Sequence, residues 1–142
     1  MKMVYDELNS EENGRVANNP DNISSIVTFS QALKYLNAFG AILGSMILSY
    51  EGLIIAEHFH QVYEKDRYAG YLLSLFKQVQ HHGQAIVFKD IQEVILTNAQ
   101  EHILLKNFKE FILAIFMVKG SLEMVKLRLG RLDETLERLA AV

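Results

Sequence analysis

The sequence predicts an α+β domain in which one five-stranded antiparallel sheet carries helices on both faces. Three observations lead there. Apolar residues recur at helical spacing in three stretches, while five shorter runs between them have strand length and strand composition. Two of those runs, 41–49 and 111–118, are too continuously apolar to expose a face to water, so both belong in the middle of a covered sheet. Turn residues separate the runs into the order helix, two strands, helix, three strands, helix, which suits a sheet flanked by helices.

Residues 1–19 are rich in Asn and Glu and poor in apolar groups, so they read as a polar tail, with at most a short helix near 3–8. A single domain then occupies 20–142. Asn19 suits an N-cap, Pro20 the first helical position and Asp21 the positive end of the dipole. Ile23, Ile26, Val27, Ala32, Leu33 and Leu36 continue that helix over 20–39, and Gly40 offers a stop. Strands 41–49 and 53–59 form a hairpin through residues 50–52, where Gly52 supplies the positive φ of a tight turn. A second helix runs from about 64 to 82 and ends at Gly83. Strands follow at 85–97, 101–107 and 110–118, with turns at 98–100 and 107–109; the first of them, carrying Lys89, Asp90, Gln92 and Glu93, reads as a sheet edge. Ser121 is placed as N-cap of a last helix in which Leu122, Val125, Leu129, Leu132, Leu136 and Leu139 alternate by three and four. Packing on the sheet is the simpler account of that stripe; a short self-pairing coiled coil, weakened by Gly130, is the alternative.

The chain has 142 residues, 14 Lys and Arg against 17 Asp and Glu, and a formal charge of −3. The imbalance is local. Residues 1–22 hold two basic and five acidic groups, so residues 23–142 are formally neutral, and nearly all the apolar residues lie there. A neutral, apolar body is expected to associate with something, but it offers no basic surplus for nucleic acid. Zero cysteines remove disulfides, thiolate metal sites and cysteine nucleophiles, and fit a reducing compartment. The acidic start is unlike a signal peptide, and the longest uncharged run, 16 residues over 35–50, is too short and too punctuated to span a bilayer. The expectation is a soluble cytoplasmic domain without membrane insertion.

The second helix is too apolar for one sheet. At 100° per residue Tyr68, Ala69, Tyr71, Leu72, Leu73, Leu75, Phe76 and Val79 cover an arc of about 200°, where a sheet-packed helix needs a stripe of about 100° or somewhat more. Tyr68, Leu72, Leu75, Phe76 and Val79 lie near the middle of the arc as the sheet-facing set. Tyr71 and Leu73 stand at its margins, to be covered by a partner or, alternatively, by a loop or the tail. Gly70 is compatible with a close helix crossing or is incidental.

Catalytic signatures are missing. His58 and His60 could share a strand face as metal ligands, with Glu57 or Glu64 near, but no third ligand comes at motif spacing. His81 and His82 suit the negative end of a helix dipole, and His102 has no partner visible in sequence. Neither a Gly-x-Ser-x-Gly elbow nor a glycine-rich phosphate loop is present. No catalytic residue, cofactor or metal is therefore expected, and the chain is not expected to be an enzyme.

Residues 41–56, AILGSMILSYEGLIIA, resemble the signature hairpin of the Roadblock/LC7 family: an apolar strand, an acidic-Gly turn, then Leu-Ile-Ile-Ala. The ending, Phe111 to Val118 followed by Lys119-Gly120-Ser121-Leu122 and an amphipathic helix, resembles that family's last strand and helix, with Gly120-Ser121-Leu122 standing where Asn-Leu-Gly-like residues are common. The resemblance covers about 23–140. It implies a homodimer joined along the third-strand edge, at Lys89, Ile91, Glu93 and Ile95, with the second helices side by side, so that Tyr68, Tyr71, Leu72, Leu73, Leu75, Phe76 and Val79 supply the dimer or partner interface. It further implies a regulator or scaffold of a small Ras-like GTPase, most like the stand-alone bacterial type that regulates gliding motility through a partner GTPase. The alternative is a small-molecule-sensing or dynein-light-chain-like adaptor module. The family has no arginine-finger motif, which leaves Arg67 a surface cation.

Overall fold

The computed structural model describes residues 23–60 and 64–141. The tail and the Asn19-Pro20 cap lie outside them. The element order is as expected: α1 (Phe29–Asn37), β1 (Ile42–Leu48), β2 (Ile54–Phe59), α2 (Lys65–Ala85), β3 (Glu93–Thr97), β4 (Glu101–Asn107), β5 (Ile112–Val118) and α3 (Leu122–Ala140). All strand pairs are antiparallel, in the order β2-β1-β5-β4-β3. The two continuously apolar strands, β1 and β5, are central, and β3 is an edge.

Three boundaries differ from expectation, each for a local reason. The first helix starts at Phe29 rather than 20, because Thr28 and Gln31 form a capping box: the Thr28 hydroxyl accepts from the Gln31 N–H at 3.1 Å, and the Gln31 side chain accepts from the Thr28 N–H at 3.2 Å. Ile23 and Ile26, which looked like its first turns, belong to a separate 3-10 turn, Ile23–Ser25, and its exit. The second helix continues two residues past Gly83. That glycine does not terminate it; a Cβ there would stand 2.6 Å from the Phe88 carbonyl oxygen, so Gly83 permits the return of the following loop. The third strand consequently shrinks from 85–97 to Glu93–Thr97.

Turn chemistry follows the side chains. Gly52 adopts φ +96° in the β1–β2 turn, where the Ser49 hydroxyl accepts from the Glu51 and Leu53 N–H groups. The Asn98 side chain accepts from the Gln100 and Glu101 N–H groups, closing the β3–β4 turn. Ser121 precedes α3 but does not cap it through its side chain; its hydroxyl donates to the Val118 carbonyl at 2.6 Å.

Two apolar clusters flank the sheet. On one face Leu33 and Leu36 of α1 and Val125, Leu129, Leu132 and Leu136 of α3 pack on Ile47, Leu104, Leu113, Ile115 and Met117. The leucine stripe of α3 is thus spent on the sheet and on α1. On the other face α2 alone contributes Ala69, Leu72, Leu73 and Phe76 against Met46, Leu48, Leu105, Ala114 and Phe116. One polar triad joins the layers: buried Ser45 of β1 donates to Asn37 Oδ1 at 2.7 Å, and Asn37 Nδ2 donates to the His58 carbonyl of β2 at 2.9 Å.

Candidate functional site

The layers are unequal, and that inequality defines the site. Five strands about 4.8 Å apart make a surface wide enough for two helices about 10 Å across, and the α1/α3 face carries two. The opposite face carries one. One flank of α2 is anchored to the β1–β2 turn: Lys77 Nζ donates to the Tyr50 carbonyl at 2.7 Å, and Leu73 lies against Gly52. The other flank looks over β4 and β3, where Val94, Leu96 and Ile103 remain half-buried at the margin of the cluster.

The residues expected at the interface divide accordingly. Leu72, Leu73 and Phe76 are buried under α2. Leu73 was expected at an uncovered margin; the β1–β2 turn covers it, a contact between elements distant in sequence. Tyr71 is 69% exposed and Tyr68 41%, while Leu75 and Val79 are half-buried on the same flank. Tyr68 was expected to face the sheet; it meets Phe116 there, the two rings edge to face with centroids 5.9 Å apart, yet stays partly exposed. Ile86, 75% exposed, extends the apolar flank past the helix end anticipated from sequence. Gly70 has open space where a Cβ would stand, so no close crossing among the described residues explains it.

The edge strand is balder than its sequence suggested. Lys89 and Ile91 precede it, Ile91 being turned inward against Gly83. Glu93 opens β3 and pairs with Lys126 of α3 at 3.0 Å, and the strand proper then reads Val94, Ile95, Leu96, Thr97 with no further charge. An apolar edge without bulge or proline is a template for another strand. The outer side of β3 pairs with no further strand of the sheet.

Most of the remaining candidates lie apart from α2. His58 and His60 meet edge to face, centroids 5.7 Å apart, and no group of three potential ligands occurs among the described residues. Burial, then the charges of His60 and Lys34, push the His58 imidazole below its ordinary value. His102 has partners that sequence could not show: Thr97 Oγ1 at 2.9 Å from Nδ1, across the β3–β4 pair, and the Gly120 N–H at 3.4 Å from Nε2. Arg67 pairs with exposed Glu64. Tyr50 donates its hydroxyl to Asn107 Oδ1, tying the β1–β2 and β4–β5 turns together, and beside that contact a cleft of about 230 Å³ is lined by Gln80, Gln84, Phe88 and Gln92. Under α1, where a sensing module would hold its ligand, Ala32, Leu33 and Leu36 are fully buried. Among the described residues no helix is long and apolar enough to cross a membrane.

A five-stranded antiparallel sheet of this order, with one helix on one face and two on the other, is the Roadblock/LC7 fold. Aligned with the Roadblock/LC7 domain from Streptomyces avermitilis, 81% of this chain and 99% of that one superpose with a TM-score of 0.73 at 13% identity. MglB from Myxococcus xanthus matches 78% of this chain over 92% of its own, TM-score 0.72, 12% identity. A further structure, of MglB in a tetrameric arrangement, matches 78% over 86%, TM-score 0.71, 16% identity. No protein-family model and no curated protein matches the chain in sequence.

Proposed function

We propose that this protein is a homodimeric, non-enzymatic regulator or scaffold of a small Ras-like GTPase, MglB-like in kind and acting in the cytoplasm. The observation that carries the reading is that one domain holds both an exposed apolar flank on α2, with Tyr71 and Ile86, and an edge strand, β3, that carries no charge after Glu93. A second copy extending β3 would form a continuous ten-stranded sheet and bring two α2 helices onto one face, and the surface they share is the platform for the GTPase. The fold, common to Roadblock/LC7 domains and MglB, supports this role.

Two measurements test it. Light scattering at micromolar concentration is expected to give twice the mass of the 16.2 kDa chain. A pull-down with Ras-like GTPases of the same genome, each loaded with GDP or a GTP analogue, is expected to retain one of them with a preference for one nucleotide state. A monomer in the first removes the dimer, and no retention in the second removes the GTPase. Whether the bound regulator accelerates hydrolysis, promotes exchange or only tethers is then read from nucleotide turnover in the same mixture.

A further inference from the structure

Backbone strain gathers at one place. Among the described residues three that are not glycine have positive φ: Val87 at +60°, Asp90 at +57° and Lys109 at +74°. Glycine and Asn enter that region easily, whereas Val and Lys do so at a cost, and such residues persist where the surroundings hold them, as at ligand clamps. All three belong to two segments, the α2–β3 loop over 86–92 and the β4–β5 turn over 108–111, that wall the cleft of about 230 Å³ beside the Tyr50–Asn107 contact. The cleft is separate from the exposed flank of α2. Gln80 and Gln84, which line it, follow Lys77 by three and seven residues and share the flank that Lys77 fastens to the Tyr50 carbonyl.

The walls are pinned. The Phe88 N–H donates to the Gly83 carbonyl at 2.7 Å, which holds the exposed Phe88 at the cleft. Gln92 Nε2 donates to the Asp90 carbonyl at 3.1 Å, and the Asn107 N–H donates to the Gln92 carbonyl at 2.8 Å. Asn107 Oδ1 accepts from the Tyr50 hydroxyl and from the Lys109 N–H. These bonds leave other groups unspent: the Asp90 carboxylate, the Lys109 ammonium, the Gln80 and Gln84 amides and Asn107 Nδ2 have no hydrogen-bond or ion-pair partner among the described residues.

That set selects by charge and by size. An anion alone would meet Asp90 and a cation alone Lys109; a molecule bearing both charges satisfies both, and the amides, which donate and accept, serve either end. Cofactors and drug-sized ligands fill pockets of about 300–1,000 Å³, so this space suits a smaller guest. We propose that the cleft binds a free α-amino acid, its carboxylate on Lys109, its ammonium on Asp90 and its side chain against Phe88. The site is additional to the GTPase role and does not depend on it.

Calorimetric titration of the full-length chain with each of the common free amino acids tests this. At least one is expected to bind at one site per chain, and its N-acetyl and carboxamide derivatives to bind about tenfold or more weaker. Asp90→Asn and Lys109→Asn install a residue that tolerates positive φ, so both variants are expected to fold as wild type while binding about tenfold or more weaker. In Lys109→Asn the carboxamide derivative is expected to bind as well as the free acid, because the cation that distinguished them is gone; a purely structural role for Lys109 would leave the preference intact. Side-chain amide resonances of Gln80 and Gln84 are expected to shift when wild type is titrated. The proposal is overturned by absence of binding for every free amino acid, by full affinity in either charge variant, or by amide resonances that stay still while binding proceeds. Derivatives that bind as tightly as their parent overturn it too, and make the guest an extended peptide.

Discussion

The ring of Phe59 occupies the space where a side chain at Gly44 would stand. The two residues face each other across β1 and β2, and a Cβ built on Gly44 would lie 1.9 Å from Cδ1 of Phe59. Phe59 meets Phe116 edge to face, centroids 5.5 Å apart, and Phe116 meets Tyr68 likewise. A glycine in a central strand thus lets an edge-strand aromatic fold inward and support the first turns of α2, where the exposed flank begins.

Gly44→Ala is expected to swing Phe59 off the strand and destabilise the domain by about 1–3 kcal/mol. Phe59→Ala removes the obstacle, so the double variant is expected to fall well short of the sum of the two single costs. Urea unfolding of the three variants checks this; simple additivity would show that Phe59 and Gly44 do not share the space.

The Ser45, Asn37 and His58 chain predicts a different penalty. Asn37→Ala leaves the buried Ser45 hydroxyl and the His58 carbonyl without the amide between them, at a cost of about 1–3 kcal/mol, whereas Asn37→Ala/Ser45→Ala removes one of the stranded groups and is expected to recover part of it. Thermal unfolding of both variants distinguishes a hydrogen-bond effect from simple loss of volume, which the double variant would deepen.

That triad also marks the boundary of what the sequence discloses. The order of elements, the central position of β1 and β5 and the edge position of β3 follow from apolar periodicity and composition, because burial on both faces forces continuous apolar runs. The capping box at Thr28 and Gln31 was equally present in the letters, but the apolar spacing of Ile23 and Ile26 pointed to an earlier start. What periodicity does not contain is contact between distant segments: the β1–β2 turn over Leu73, the Phe88 carbonyl against Gly83, Asn37 reaching into β2. The over-apolar second helix was legible as an excess, and the fold was needed to assign Leu73 to the core and Tyr71 to the surface.

Stability is expected to fall at mildly acid pH through His58. Its folded value is lowered, by burial first and then by His60 and Lys34, with Glu57 opposing. The unfolded chain therefore takes up this proton at a higher pH than the folded one, and stability rises with pH wherever the unfolded state binds more protons. The contribution is constant above the ordinary imidazole value of about 6.5 and declines as pH drops from there toward the folded value, levelling off below it. His58→Gln, whose side chain does not titrate, is expected to flatten this part of the profile in denaturant unfolding at a series of pH values; an unchanged slope would assign the dependence to another group.

The two margins of α2 predict opposite phenotypes. Leu73 is 6% exposed beneath the β1–β2 turn, so Leu73→Glu buries a carboxylate among apolar groups and is expected to cost about 3–5 kcal/mol, enough to unfold much of the population. Tyr71, at 69% exposure, carries little of the fold; Tyr71→Glu is expected to change stability by no more than about 0.5 kcal/mol while placing a charge at the edge of the proposed pairing surface. Circular dichroism should then show native helix for the Tyr71 variant and a loss for the Leu73 variant. Sedimentation should show dissociation without unfolding only for the former. If Tyr71→Glu leaves both fold and association untouched, the contact between copies does not include the Tyr71 side of the flank.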